Sequence, residues 1–282
     1  MAKLLTILMV VGVWTGCGGD SPTGDGKEKL LVWTTEYDDG SVKEEYQYYI
    51  NPENNEIVKD GWYKSYYRNE EPWEVGTYSE DKRSGEWSFY TDVGEETKGI
   101  YENGERLSGE FWLHVKADAT LGWVATDEAL RETEGDQPDV YWGRFTYADG
   151  TWNGLGIIYW QNGRKRAEGL YKDGRQDGYY KRYYERGGIA WKGNYVKGVL
   201  DGERVAYYEN GDVWAVDNFK NGKLHGRSVI YHENGTIGIE EHYAEGKLDG
   251  KRTEYYVDGD VFDEDIYENG VCVEMCEGDE SE

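Results

Sequence analysis

Residues 202–225 read GERVAYYENGDVWAVDNFKNGKLH, and the fold can be inferred from them. It contains two Asn-Gly dipeptides, Asn210-Gly211 and Asn221-Gly222. Both are typical of two-residue type I′ turns, because the two central residues of such a turn need positive φ. The residues around the dipeptides alternate between apolar and polar, and no helix signal interrupts them. The stretch therefore predicts one β-hairpin with strands of roughly eight residues.

The hairpin recurs with a fixed period of 24 residues. Five units open with a glycine and carry a tyrosine five residues later: Gly154, Gly178, Gly202, Gly226 and Gly250, with Tyr159, Tyr183, Tyr207, Tyr231 and Tyr255. Earlier units begin at Gly61, Gly85 and Gly109. A period of this length marks an array in which each unit contacts mainly its neighbours. We therefore predict an all-β fold, an elongated twisted single-layer antiparallel meander of hairpin repeats.

Counting outward from Asn210-Gly211 predicts the register of the hairpin. Gly202 then faces Phe219, Ala206 faces Ala215 and Tyr207 faces Trp214, and in the preceding unit Gly178 faces Tyr195. Strict alternation places the first two pairs on a buried face, where an aromatic residue covers each glycine. The five tyrosines, called here the tyrosine column, fall on the other face with Trp214, unless a bulge in each strand turns them inward. Two interpretations are open for the column: cross-strand packing, or a surface that binds a partner.

Several segments resemble the bacterial MORN-repeat variant family. The segments are YYENG at 207–211, NFKNGKLHG at 218–226, GLYKDG at 169–174 and GNYVKG at 193–198. The resemblance covers residues 61–112 and 141–271, with a degenerate hairpin at 30–60 before them. The phase breaks at 113–140, which we interpret as an irregular acidic insertion. The resemblance implies a hairpin meander used for protein or membrane contacts, and many bacterial relatives are labelled antitoxins of toxin–antitoxin systems.

The first 17 residues are expected to be a targeting signal. Lys3 precedes an apolar run from Leu4 to Trp14, which is followed by Thr15-Gly16-Cys17. This resembles a bacterial lipoprotein signal, which implies a lipid on Cys17 and a bacterial envelope location. Gly18 after the cysteine is similar to the pattern sent on to the outer membrane. An ordinary secretory signal is the alternative, and residues 18–29 are expected to form a flexible tether.

The remaining cysteines, Cys272 and Cys276, lie in the C-terminal segment 272–282 with an acidic tail. An exported compartment favours a disulfide between them. Residues four apart in an extended strand are about 13 Å from each other, so the bond needs the chain to turn between them. Both possibilities, a bonded pair and two free thiols, are open.

Charge and composition restrict the partners. The chain has 57 acidic and 31 basic residues, a net charge of −26, which disfavours nucleic acid and anionic lipid headgroups. We therefore expect membrane contact through the lipid anchor alone. The chain has 12 Trp and 26 Tyr but only 5 Phe. Because Trp and Tyr tolerate partial exposure to water, this composition favours thin, half-exposed layers over a thick apolar core.

No pattern of catalytic, cofactor-binding or metal-ligating residues is present in the sequence. The acidic residues between Asp258 and Glu268 lack the spacing of a known calcium loop. We expect a non-enzyme without cofactor or metal, an envelope-anchored repeat scaffold for protein–protein interaction with an unidentified protein partner. A glycan- or peptidoglycan-binding surface protein is one alternative, and an antitoxin or immunity-type protein is another. The oligomeric state is open.

Overall fold

The computed structural model describes residues 30–91, 94–118, 122–125 and 140–274. All strands in these ranges belong to one antiparallel sheet, and no helix is formed within them, which confirms the predicted fold class. The first strands are β1 (Leu31–Glu36), β2 (Val42–Ile50), β3 (Ile57–Tyr66), β4 (Pro72–Ser79), β5 (Lys82–Tyr90), β6 (Glu96–Glu102), β7 (Glu105–Asp118), β8 (Gly122–Ala125), β9 (Val140–Ala148), β10 (Thr151–Tyr159), β11 (Lys165–Lys172) and β12 (Arg175–Tyr183). The later strands are β13 (Ile189–Val196), β14 (Val199–Leu200), β15 (Gly202–Tyr207), β16 (Val213–Lys220), β17 (Lys223–Leu224), β18 (Gly226–Tyr231), β19 (Ile237–Ala244), β20 (Lys247–Leu248), β21 (Gly250–Tyr255), β22 (Val261–Glu268) and β23 (Val271–Glu274).

The strands succeed one another through the sheet in chain order, except that β9 follows β7 directly, because β8 pairs with the last residues of β7. Each of the two-residue strands β14, β17 and β20 pairs with the same neighbour as the strand that follows it. For example, β14 and β15 both pair with β13. The same holds for β17 and β18 on β16, and for β20 and β21 on β19. The repeat period therefore produces one hairpin per 24 residues, as the sequence predicts.

Segment 113–140, where the repeat phase breaks, is not irregular throughout. Strand β7 continues to Asp118, and β8 pairs with its last residues from Gly122 to Ala125. Strand β9 then pairs with β7 and joins it to β10 and the later repeats. At the break in phase one strand is thus longer than in the other repeats, and a short strand is added beside it. The backbone hydrogen bonds of the sheet continue here although the repeat motif does not. Residues 119–121 and 126–139 lie outside the described residues.

The two turns of each repeat differ in kind. At Asn221-Gly222 both residues have positive φ, 51° and 79°, as a type I′ turn requires. At Asn210-Gly211 only the glycine does, with φ of 96°. The Gly211 amide donates to the Tyr208 carbonyl at 3.0 Å, which closes a type I turn with a glycine bulge. The type I′ prediction is confirmed at Asn221-Gly222 and wrong at Asn210-Gly211.

The bulge changes one part of the predicted register. The pairs Gly202 with Phe219 and Ala206 with Ala215 are formed as predicted. Between Ala206 and Tyr207 the register shifts, so that Tyr207 faces Val213 and not Trp214. The same shift precedes Tyr159, Tyr183, Tyr231 and Tyr255 in their repeats. The predicted pairing of Tyr207 with Trp214 is therefore wrong.

Aromatic rings cover glycines of the neighbouring strand. A Cβ atom added at Gly76 would lie 2.2 Å from the Trp87 indole, and one at Gly99 would lie 2.0 Å from the Phe111 ring. Neither glycine has a positive φ, so the space taken by the ring is the reason for glycine here. These ring-over-glycine contacts make the centre of the core, where Trp87 has no exposed surface at all.

The glycines predicted to be covered are not the covered ones. A Cβ added at Gly202 would meet no atom within 4 Å, and one at Gly178 would meet Leu170 and no ring. Both have positive φ, 90° and 114°, where a side chain is strained. Each does pair with an aromatic residue in the register, but the backbone conformation is the reason for glycine at these two positions.

The same face of the sheet becomes charged towards the C-terminal repeats. Asp217 occupies the repeat position that Gly169 and Gly193 hold earlier in the chain. Its Oδ2 accepts a hydrogen bond from Arg204 Nε at 3.0 Å, and its Oδ1 accepts one from the Ser228 hydroxyl at 2.8 Å. The prediction of an apolar buried face therefore holds for the aromatic repeats and is wrong for the later ones.

Side chains next to the tyrosine column join each repeat to its successor. The Tyr184 hydroxyl donates to the Tyr207 carbonyl and the Tyr208 hydroxyl to the Tyr231 carbonyl, both at 2.6 Å. Equivalent contacts join Tyr37 to Tyr66, Tyr67 to Tyr90, and His232 to Tyr255. We call these donors and their equivalents in other repeats the clamp residues. The clamp residues fix the turn of one repeat against the last strand residue of the next.

Candidate functional site

The five tyrosines of the predicted column are all half-buried. Tyr183 donates its hydroxyl to Glu168 Oε1 at 2.8 Å. Tyr207 lies beside Lys192, whose ammonium group is 5.5 Å from the ring centroid, and a hydrogen bond to Tyr207 raises the pKa of that lysine. Tyr183 and Tyr207 are thus packed against charged side chains of the preceding strand. Its role in binding a partner stays a prediction.

Glu168 is the most enclosed carboxylate beside the column. Lys165 Nζ lies 2.7 Å from its Oε2, and Lys181 Nζ lies 3.2 Å from its Oε1. Burial alone would favour the neutral acid. The hydrogen bonds from Lys165, Tyr183 and Lys181 outweigh burial and hold the pKa of Glu168 below its usual value of 4.5.

Glu168→Gln is expected to lower the unfolding free energy at pH 7 by about 1–2 kcal/mol, since a charged acceptor is lost. The folded-state pKa is lowered, so the stabilisation is present above pH 4.5 and is lost as the pH falls through the folded value. Urea unfolding at pH 7 and pH 3 measures this, with the exposed Glu86→Gln as control. An equal deficit for Glu168→Gln at both pH values would contradict the prediction.

A groove of about 710 Å³ lies where the repeat phase breaks. We call it the aromatic groove. It is lined by Tyr67, Trp73, Glu74, Phe89, Tyr90, Thr91, Glu95, Trp112, Tyr141, Trp142, Arg144, Tyr159, Trp160, Gln161 and Gly163. Clefts of this volume are the size of small-molecule sites. No sequence signal within one repeat identifies it, because its lining residues come from four successive hairpins, from Tyr67 after β3 to Gly163 after β10.

The rings of the aromatic groove form two stacked or tilted pairs. Tyr67 and Trp73 have ring centroids 5.7 Å apart at an interplanar angle of 29°. Trp112 and Tyr159 are 5.4 Å apart at 36°. One member of the second pair, Tyr159, belongs to the predicted tyrosine column. The structure therefore brings one predicted site residue into the groove and leaves the other four along the sheet.

A second exposed surface lies at the turn end of the last described hairpin. It consists of Tyr256, Val257, Val261 and Phe262, and we call it the end patch. Phe262 is 57% exposed, and its ring meets that of Tyr256 at 5.0 Å in an edge-to-face arrangement. Trp214, predicted as a binding residue, is 43% exposed on an earlier repeat. Contiguous exposed apolar side chains of this kind are typical of interaction surfaces.

Cys272 lies in β23 and takes part in a disulfide bond. The bond partner lies outside the described residues, so its pairing with Cys276 stays a prediction, as does the lipid on Cys17. In the described ranges no three His, Cys, Asp or Glu side chains come together as metal ligands do. None of the residues placed by the structure forms a helix with the length and hydropathy of a membrane span.

Comparison with known proteins supports the repeat assignment. Residues 200–221 and 224–245 match the family described as MORN repeat variant. The sequence has no match among curated proteins. A solved structure titled "Crystal Structure of TcdB2-TccC3-Cdc42" aligns over 89% of this chain with 12% identity and a TM-score of 0.17. This chain spans 16% of the length of that solved chain, and so low a TM-score carries no structural argument.

Proposed function

We propose that the chain is a non-catalytic repeat scaffold of the bacterial envelope that binds a protein partner through the end patch. The matched MORN repeats support a repeat scaffold. The observation that carries the proposal is the position of Tyr256, the clamp residue of the last described hairpin. It is 52% exposed, whereas the interior clamp tyrosines are half-buried against the next repeat.

The end patch has the composition of an interface between repeats. In the interior, Tyr184 and Tyr208 each donate to a backbone carbonyl of the next repeat. Tyr256 has no such acceptor in the part of the chain that the structure describes. A partner that offers a backbone carbonyl would satisfy this hydroxyl in the way that a further repeat does, and its apolar side chains would cover the exposed Phe262. Such groups belong to a polypeptide, which favours a protein over a glycan at this surface.

The proposal places the scaffold at the membrane through Cys17 and the tether 18–29. Both lie outside the described residues. A Cys17→Ser variant is expected to leave the membrane fraction for the soluble fraction, since a lipid is the proposed attachment. Retention of that variant in the membrane fraction would refute lipid anchoring, and would leave partner binding through the end patch unaffected.

A photo-crosslinking amino acid at Phe262, in cells that produce the full chain, tests the partner. We expect one discrete protein adduct, identified by mass spectrometry. Tyr179, which is 40% exposed on an earlier repeat, is the matched control position and is expected to give none. The absence of any adduct at Phe262, or an equal adduct from both positions, would contradict the proposal. An adduct whose protein is toxic without this chain would identify the partner as a toxin and favour the immunity-type role.

A further inference from the structure

The aromatic groove is a second surface, separate from the end patch, and it lies beside the β7–β9 hairpin, where the repeat phase breaks. Trp112 lies on β7, Tyr141 on β9, and Trp160 directly after β10. The opposite wall comes from Tyr67, directly after β3, and Trp73, the second residue of β4. Regular repeats bring each aromatic residue against its counterpart in the next repeat. The β5–β6 hairpin lies between these walls in the sheet, and it contributes Phe89, Tyr90, Thr91 and Glu95 to the lining.

The two ring pairs offer flat apolar surfaces of the size of a pyranose ring. The Tyr67–Trp73 and Trp112–Tyr159 pairs are each packed ring on ring, which fixes their planes. The axial C–H groups of a sugar ring form a similarly flat apolar face. Its hydroxyl groups project from the edge, where they need donors and acceptors. A cleft with fixed rings and polar edges is suited to such a ligand.

Polar groups suited to hydroxyls surround the rings. Thr91, Glu95 and Gln161 line the aromatic groove, and the last two are exposed. The indole N–H groups of Trp112 and Trp160 are buried in its wall, with no hydrogen-bond acceptor among the residues that the structure places. Buried N–H donors usually have an acceptor. A ligand rich in oxygen atoms would supply it after a small movement of the rings.

The charges of the aromatic groove nearly cancel. Glu74 forms an ion pair with Arg83 at 2.8 Å, which leaves one carboxylate, Glu95, and one guanidinium group, Arg144. A cation has little to gain at the rings, because the Arg166 guanidinium already lies 3.7 Å from the Tyr141 ring centroid. An anion is repelled by the net charge of −26. The balance favours a ligand without net charge.

We propose that the aromatic groove binds a neutral oligosaccharide of two to four sugar rings, stacked on the Tyr67–Trp73 and Trp112–Tyr159 pairs. This site is distinct from the tyrosine column, with which it shares only Tyr159. It is also independent of the protein partner proposed for the end patch. Either proposal stands if the other fails.

Trp142 and Trp214 provide a matched pair of variants for the test. Trp142 lines the aromatic groove and is 44% exposed, and Trp214 is 43% exposed on a repeat outside it. Calorimetric titration of the full chain uses three neutral tetrasaccharides: chitotetraose, cellotetraose and maltotetraose. We expect saturable binding of at least one of them, about tenfold weaker in Trp142→Ala and unchanged in Trp214→Ala. Thermal unfolding of both variants checks that neither has lost its fold.

Three results would overturn the inference. The first is no saturable binding of any of the three sugars by the unaltered chain. The second is equal weakening by Trp142→Ala and Trp214→Ala, which would place the sugar outside the aromatic groove. The third is Trp142-dependent binding of a basic proline-rich peptide in place of the sugars, which would identify the groove as a peptide site. Photo-crosslinking at Phe262 is unaffected by each of these outcomes.

Discussion

Gly99→Ala is expected to lower the unfolding free energy by about 3 kcal/mol, although it adds a single methyl group. The new Cβ would lie 2.0 Å from the Phe111 ring, which is 1% exposed and cannot turn into solvent. Neither Gly99 nor the β6 backbone around it has positive φ, so backbone strain does not contribute. Alanine would even favour the strand by about 0.5–1 kcal/mol through the unfolded state. The steric overlap outweighs this gain, so the net effect of Gly99→Ala on the unfolding free energy is a loss.

A double-mutant cycle with Phe111→Ala measures this overlap. With the ring removed, Gly99→Ala is expected to cost less than about 0.5 kcal/mol, because the two substitutions share one contact. Gly193→Ala is the matched control: its Cβ would lie 3.1 Å from the flexible end of Leu200, and we expect a loss below about 1 kcal/mol. Urea unfolding gives all four values. Additive effects of Gly99→Ala and Phe111→Ala would contradict the ring-over-glycine account.

Trp87→Ala is expected to lower the unfolding free energy by about 3–5 kcal/mol. The indole has no exposed surface, and its centroid lies 5.2 Å from the ring of Tyr78 and 5.6 Å from that of Tyr63. Its Nε1 donates to the Thr77 carbonyl at 3.0 Å. The substitution removes these contacts and opens a cavity over Gly76 that the single-layer sheet has no second layer to fill.

Trp214→Ala is the control for Trp87→Ala, since Trp214 is a half-exposed tryptophan in the same sheet, and we expect a change within about 0.5 kcal/mol. Hydrogen exchange adds a spatial readout. In a repeat array the loss should be largest in β4 to β6 and should decline towards β22, because each repeat contacts mainly its neighbours. Equal losses for the two tryptophans, or a uniform loss of protection, would contradict the prediction.

The sequence predicts the period and most of the register, because both depend on contacts within one hairpin. Counting alone is enough to pair Gly202 with Phe219 and Ala206 with Ala215. Counting is not enough for the turn type, since Asn-Gly fits a type I′ turn and also a type I turn with a glycine bulge. In the structure the glycine-bulge turn is accompanied by a hydrogen bond from the Asp212 amide to Asn210 Oδ1 at 2.9 Å.

Features formed by residues of different repeats cannot be predicted from the sequence of one repeat. Asp217 replaces a repeat glycine, and sequence reasoning does not show that Arg204 and Ser228 meet it from both sides. The aromatic groove is lined by residues of four successive hairpins, so Trp112 and Trp160 carry no local signal that they line the same space. The exposure of Tyr256 depends on the residues that pack beyond the last hairpin, which no pattern within the repeat specifies.

Because the clamp contacts are alike in successive repeats, the number of repeats determines the length of the sheet. Apart from Tyr37, whose acceptor lies 29 residues on, the clamp residues with a described contact meet it 23 residues further along the chain. Removing residues 202–225 would therefore bring Tyr184 to the Tyr231 carbonyl with every donor and acceptor still matched. Each hairpin contributes two strands, or roughly 10 Å across the sheet. Adding a whole unit would thus move the end patch away from the N-terminal end by one such step, and removing a unit would bring it closer by the same step. The residues exposed at either end would not change.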